Sequence, residues 1–151
     1  MNRVSFQNRL TSGIFLLLTI SLLCAVEVPS GPRAALLIGN AKYEGFILKG
    51  VSQSLDRVEA ALKKEGYSIV RMQDLNSDGQ KKAVESFSKS VPSNGVAFFY
   101  FIGLGANLER QGRQYNLLRP VKEKIQSDND YRSRSLNAVS YTHLRAHETL
   151  R

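Results

Sequence analysis

Residues 33–72 read RAALLIGNAKYEGFILKGVSQSLDRVEAALKKEGYSIVRM, and their pattern decides the fold. Ala34 to Ile38 is a short unbroken apolar run that stops at Gly39-Asn40. A run of that length, closed by a turn signal, suits a strand buried on both faces. Residues 51–65 place Val51, Leu55, Val58 and Leu62 four, three and four apart, the spacing of one helix face. Gly66 follows directly and fits the helix C-terminus, where glycine is the favoured cap. Tyr67 to Met72 then gives a second strand.

The alternation continues downstream. Ser77 followed by Gln80 fits a capping box, and Val84, Phe87 and Val91 mark one face of a second helix that Pro92 ends. Val96 to Ile102, VAFFYFI, is a third strand of seven apolar residues. The order β-α-β-α-β predicts a parallel α/β sheet with right-handed crossovers. Ligands of such sheets gather at the carboxyl ends of the strands, here Gly39 to Tyr43 and Gly103-Leu104-Gly105.

Upstream, Arg3 and Arg9 precede the apolar run IFLLLTISLLCA, Ile14 to Ala25. A positive start, a short apolar stretch and the step Leu23 to Ala25 read as a signal peptide over residues 1–25, and hence as an exported protein. The competing reading is a membrane anchor. The uncharged window Leu10 to Val26 is 17 residues, and a spanning helix needs about 20. Pro29, Gly31 and Pro32 make residues 26–32 a linker.

The chain has 151 residues, room for one ordinary domain, and a net charge of +8. Residues 26–138 carry 17 basic and 12 acidic side chains, +5, with Lys63-Lys64 and Lys81-Lys82 on solvated helix faces. That is a mildly basic surface without the interleaved aromatics of a nucleic-acid stripe, so no nucleic-acid partner is expected. The single cysteine, Cys24, excludes an intrachain disulfide. The two histidines, His143 and His147, lie in the tail, and no Cys or His falls between Ala25 and Thr142. Neither a metal nor a cofactor is expected. The triplet Gly103-Leu104-Gly105 begins a GxG pattern, but Leu108 stands at the third glycine position, which argues against a dinucleotide loop. A phospho-acceptor domain of the same strand order needs acidic residues where Asn40 and Leu104 stand.

Several separated blocks resemble the opening of a bacterial caspase-like domain: RAALLIGNAKY at 33–43, LKGV at 48–51, GVAFFYFIGLG at 95–105, residues 112–115, and SDNDYRSRSL at 127–136. The resemblance spans about Arg33 to Ala138 and implies a caspase-like three-layer α/β sandwich with a mostly parallel sheet. It also implies cysteine-type endopeptidase activity on polypeptide substrates. In that family the third strand ends in Gly-His-Gly, whose imidazole is the base of a Cys/His dyad. The matching triplet here is Gly103-Leu104-Gly105, so Leu104 takes the histidine's place. The family nucleophile belongs to the next core strand, so residues 33–138 read as a partial domain that stops after about three core strands, with the cysteine beyond it. Near YNLLRPV, Asn116 and Arg119 look inserted relative to the family pattern.

With neither dyad member available, the expectation is an inactive chain, and the alternative to a peptidase is a pseudo-peptidase that binds or scaffolds a protein partner. Membrane contact is expected only through the N-terminal segment. Val139 to Arg151, VSYTHLRAHETLR, has no apolar periodicity, does not continue the family pattern, and reads as a non-native, adapter-derived tail. His143 and His147 with Glu148 are spaced to ligate a metal only if that tail is helical.

Overall fold

The structure, a computed structural model, describes residues 31–138. The expected signal peptide with Cys24, most of the linker, and the tail with His143 and His147 lie outside the described residues.

Strand β1, Arg33–Gly39, is the centre of a three-stranded parallel sheet. It pairs on one side with β4, Ser68–Gln73, and on the other with β5, Val96–Ile102. Between β1 and β4 the chain forms two short strands, β2, Lys42–Tyr43, and β3, Phe46–Ile47, and helix α1, Val51–Lys64. Helix α2, Ser77–Ser90, joins β4 to β5. The unbroken apolar run has the burial it predicts: Ala35, Leu36, Leu37 and Ile38 are each 0% exposed.

Alternation along β1 sorts those residues between two cores. Leu36 and Ile38 pack with Ala83, Val84 and Phe87 of α2, together with Val91. Ala35 and Leu37 pack with Val51 and Leu55 of α1. The sheet is therefore the middle of three layers, with one helix on each face. Each fully buried Leu or Ile contributes about 1.5–3 kcal/mol. Gly39 ends β1 where a Cβ would meet the Leu55 and Val51 side chains at 2.5 and 2.8 Å, so α1 can approach only a glycine there.

The first helix ends as expected. Gly66 has φ 78°, its N–H donates to the Lys63 carbonyl, and the Tyr67 N–H donates to the Leu62 carbonyl. That pair of bonds is a Schellman ending. The start of α2 differs from the sequence expectation by one residue. The cap is Asn76, whose side chain accepts from the Gly79 N–H at 2.9 Å. Gln80 is buried instead of reaching back to a Ser77 cap, and its side-chain amide donates to the Arg119 carbonyl at 3.4 Å.

Three further elements carry no strong period in the sequence. β6, Gly105–Arg110, and β7, Arg113–Leu118, form an antiparallel hairpin, and β8, Leu136–Asn137, pairs with β7. The hairpin turns at Gln111 and Gly112, both with positive φ (53° and 71°), as a two-residue type I′ turn requires. Helix α3, Asp128–Arg134, opens on a capping box between Ser127 and Asp130. Among the described residues no helix is long and apolar enough to cross a membrane. Among the described residues β5 has one strand neighbour, β1, and Phe98 and Phe99 on it are 37% and 40% exposed.

Candidate functional site

The two sequence segments picked out at the carboxyl ends of the strands meet. Asn40, one residue past β1, donates its backbone N–H to the Ile102 carbonyl at the end of β5, at 2.9 Å. Three residues on, the Tyr43 hydroxyl accepts the Leu104 N–H at 2.7 Å. The Leu104 carbonyl in turn accepts the Arg119 N–H at 2.9 Å. Leu104 is thus fixed through its backbone on both sides, by residues 61 positions before it and 15 after it in the chain. Close approach crowds both of its glycine neighbours, Gly103 more than Gly105. A Cβ on Gly103 would meet the Tyr43 hydroxyl at 2.5 Å, and one on Gly105 would meet the Leu117 carbonyl at 3.0 Å.

Asn40 organises the third side of the site. It is 0% exposed, and its side chain accepts the Leu75 N–H at 3.0 Å while donating to the Leu75 and Arg119 carbonyls at 3.3 and 3.1 Å. A buried amide of this kind is stabilising only when its groups are paired, and these are. It ties the end of β1 to the loop after β4 and to the segment after β7. Asp74 strengthens the same junction. Its carboxylate accepts the N–H groups of Ala41 and Lys42 at 2.8 and 2.9 Å, and its own N–H donates to the Gly39 carbonyl. Asp74 takes φ 53°, a conformation that aspartate tolerates better than most residues.

Electrostatics follow from these contacts. Burial alone would raise the Asp74 carboxyl, but the two backbone N–H groups and the Lys42 ammonium at 3.7 Å outweigh it and hold the group below its ordinary value. Tyr43 is moved the other way. Burial pushes its phenol up, the nearby Asp74 and Tyr131 add to the rise, and the Leu104 N–H and the Arg119 charge oppose it. Neither group changes protonation near neutral pH. The Arg119 guanidinium lies over the Tyr43 ring at 5.5 Å, and Phe46 stacks on that ring at 5.4 Å.

Beside Tyr43 an open depression of about 450 Å³ is lined by Lys42, Tyr43, Glu44, Lys122 and Lys124. Among the described residues no three His, Cys, Asp or Glu side chains converge on a point where they could hold a metal ion.

The sequence reading placed Gly103, Leu104 and Gly105 at this edge, and they lie there with the segment Gly39 to Tyr43. It did not single out Asn40 as a clamp, nor Asp74 or Arg119 as site residues. A polar residue directly after a run of buried apolar residues was the available signal for Asn40. Arg119 was read as an insertion, yet its carbonyl accepts from both Asn40 and Gln80.

A parallel sheet between two helices, with its polar clamps and loops at one carboxyl edge, is an α/β sandwich, the architecture whose ligands gather at that edge. Comparison with protein families matches residues 32–146 to the caspase domain, peptidase C14. The match covers most of the chain, and the chain belongs to this family of cysteine-type peptidases, which act on polypeptides. A comparison with curated proteins found no match.

Proposed function

We propose that this caspase-family chain is an exported protein that binds polypeptides and does not hydrolyse them. One observation carries the reading. Leu104, which the family pattern assigns to the histidine position, stands two residues past the end of β5 with its backbone bound on one side by Tyr43 and on the other by Arg119. An alkyl side chain there cannot take a proton from a thiol or return it to a leaving amine. Losing a positioned acid/base typically lowers a rate about 10²- to 10⁴-fold. From Ala25 to Arg151 the sequence has no thiol, so a covalent thioester route has no nucleophile in that stretch. The Tyr43 phenol, raised by burial, and the Asp74 carboxylate, held low by its N–H donors, are both poor bases at neutral pH. What the edge retains is a set of loops tied together by the hydrogen bonds of Asn40, Asp74 and Tyr43.

The reading is tested with the secreted chain and fluorogenic peptides that present Arg, Lys or Asp before the reporter. The expected result is no turnover above buffer, with or without a thiol-alkylating reagent. Turnover that alkylation abolishes would contradict it. Recovery of the chain from the cell extract alone, with residues 1–25 still attached, would contradict export.

A further inference from the structure

The depression beside Tyr43 has a charge pattern that the family reading does not use. Three of its five lining residues are lysines, and Glu44 is its one acid. Lys42 has a counter-ion, Asp74 at 3.7 Å, but its side chain is 75% exposed. Among the described residues the ammonium groups of Lys122 and Lys124 have no acidic partner within ion-pair distance, while Glu123 between them is turned to Arg134 at 3.6 Å. Lys122 takes φ 60°, so the loop turns sharply at the residue that presents the first of these charges. A fourth cation stands behind them. The Arg119 guanidinium lies over the Tyr43 ring, and its Nε is buried without a hydrogen-bond acceptor. The floor is firm, because Tyr43 is held by the Leu104 N–H and stacked on Phe46.

Like charges gathered around one concave surface repel one another until an anion joins them, and they draw that anion in from a distance. We propose that this depression is the docking site for an acidic polypeptide segment, one rich in Asp and Glu, whose carboxylates pair with Lys122, Lys124 and Lys42 above the Tyr43 ring. The inference rests on the polypeptide-binding reading and names the chemistry of the partner. A polypeptide is favoured over nucleic acid because the one aromatic of the lining, Tyr43, is 6% exposed, with Phe46 stacked on its ring and Arg119 over it, so the lining offers bases no ring to stack on.

The test uses the full chain and three fluorescein-labelled decapeptides, one Glu-rich, one Lys-rich and one Gly/Ser, followed by fluorescence anisotropy at low ionic strength. The variant is Lys122→Glu with Lys124→Glu, two exposed positions whose side chains make no packing contact in either core. Far-UV circular dichroism checks that its fold is kept. The Glu-rich peptide is expected to bind, to weaken by about tenfold or more in the variant, and to weaken further as salt shortens the screening length. Tighter binding of the Lys-rich peptide by the variant would support the same assignment. Equal binding of the Gly/Ser or Lys-rich peptide, no binding of the Glu-rich peptide, or an undiminished affinity in the variant would overturn the proposal. So would displacement of the Glu-rich peptide by a single-stranded oligonucleotide at lower concentration than by unlabelled peptide. Binding of the neutral peptide alone overturns the acidic partner but leaves the polypeptide-binding reading standing. Cleavage of any of the three overturns that reading itself.

Discussion

Replacing Asn40 by alanine removes the side chain that holds three loops together at the carboxyl edge. Its three hydrogen bonds are the Leu75 N–H to Oδ1 at 3.0 Å and Nδ2 to the Leu75 and Arg119 carbonyls at 3.3 and 3.1 Å. The carbonyls keep other donors, since Val121 N–H reaches the Leu75 oxygen at 2.9 Å and the Gln80 amide reaches the Arg119 oxygen at 3.4 Å. The Leu75 N–H keeps none within hydrogen-bond distance. An orphaned buried donor costs about 1–3 kcal/mol, and each lost bond with a surviving partner about 0.5–1.5 kcal/mol. The expected loss is about 3 kcal/mol, a large share of a typical stability of about 5–15 kcal/mol.

Urea unfolding followed by far-UV circular dichroism reads it. With a slope of about 1–3 kcal/mol/M, the midpoint falls by about 1–3 M. A companion variant, Asn40→Asp, keeps the acceptor for Leu75 but sets a carboxylate against two carbonyl oxygens. Its destabilisation is expected to ease as pH falls and the carboxyl becomes a donor. A loss below about 1 kcal/mol for Asn40→Ala, or an Asn40→Asp stability that does not recover in acid, would refute the clamp.

Three other perturbations follow from the same contacts. Tyr43→Phe removes the acceptor of the Leu104 N–H, with an expected cost of about 1–2 kcal/mol and faster amide hydrogen exchange at Leu104; unchanged exchange would mean that the bond does not form in solution. Asp74 is held below its ordinary value in the folded chain, so the unfolded chain binds more protons between the two values and stability rises with pH there; the contribution is complete above about pH 4 and lost as pH falls through the folded value, and Asp74→Asn should flatten the acid limb of a stability-pH curve to which Asp130 and Glu59 add in the same direction. Phe99→Lys puts a charge on the exposed part of β5 and should reduce self-association measured by light scattering, since an apolar strand with one neighbour among the described residues is a template for pairing; undiminished scattering would place the sticky surface elsewhere.

The elements legible in the sequence are those with a strong local period. The run at Ala35 to Ile38 is buried on both faces because two helices cover it, and the Val51, Leu55, Val58, Leu62 stripe is the face that does so on one side. The hairpin of β6 and β7 was not legible: GANLER and RQYNLL are mostly polar, and the turn at Gln111-Gly112 lacks the Asn or Asp that usually marks a type I′ pair. The two halves of the candidate site were found from the rule that chemistry gathers at strand carboxyl ends. Their junction was not, because the contact of Tyr43 with Leu104 joins residues 61 apart and no local pattern encodes it. The cap of α2 is Asn76, whose side chain accepts the Gly79 N–H, while Gln80 lies buried against the Arg119 carbonyl, a partner 39 residues away that no local pattern encodes.

The most direct test of a binding chain in a peptidase family is mass spectrometry of the purified protein after long incubation with a mixed peptide library. Intact peptides retained on the protein, with no new termini in solution, are the predicted result. New termini that disappear when thiols are alkylated would contradict it.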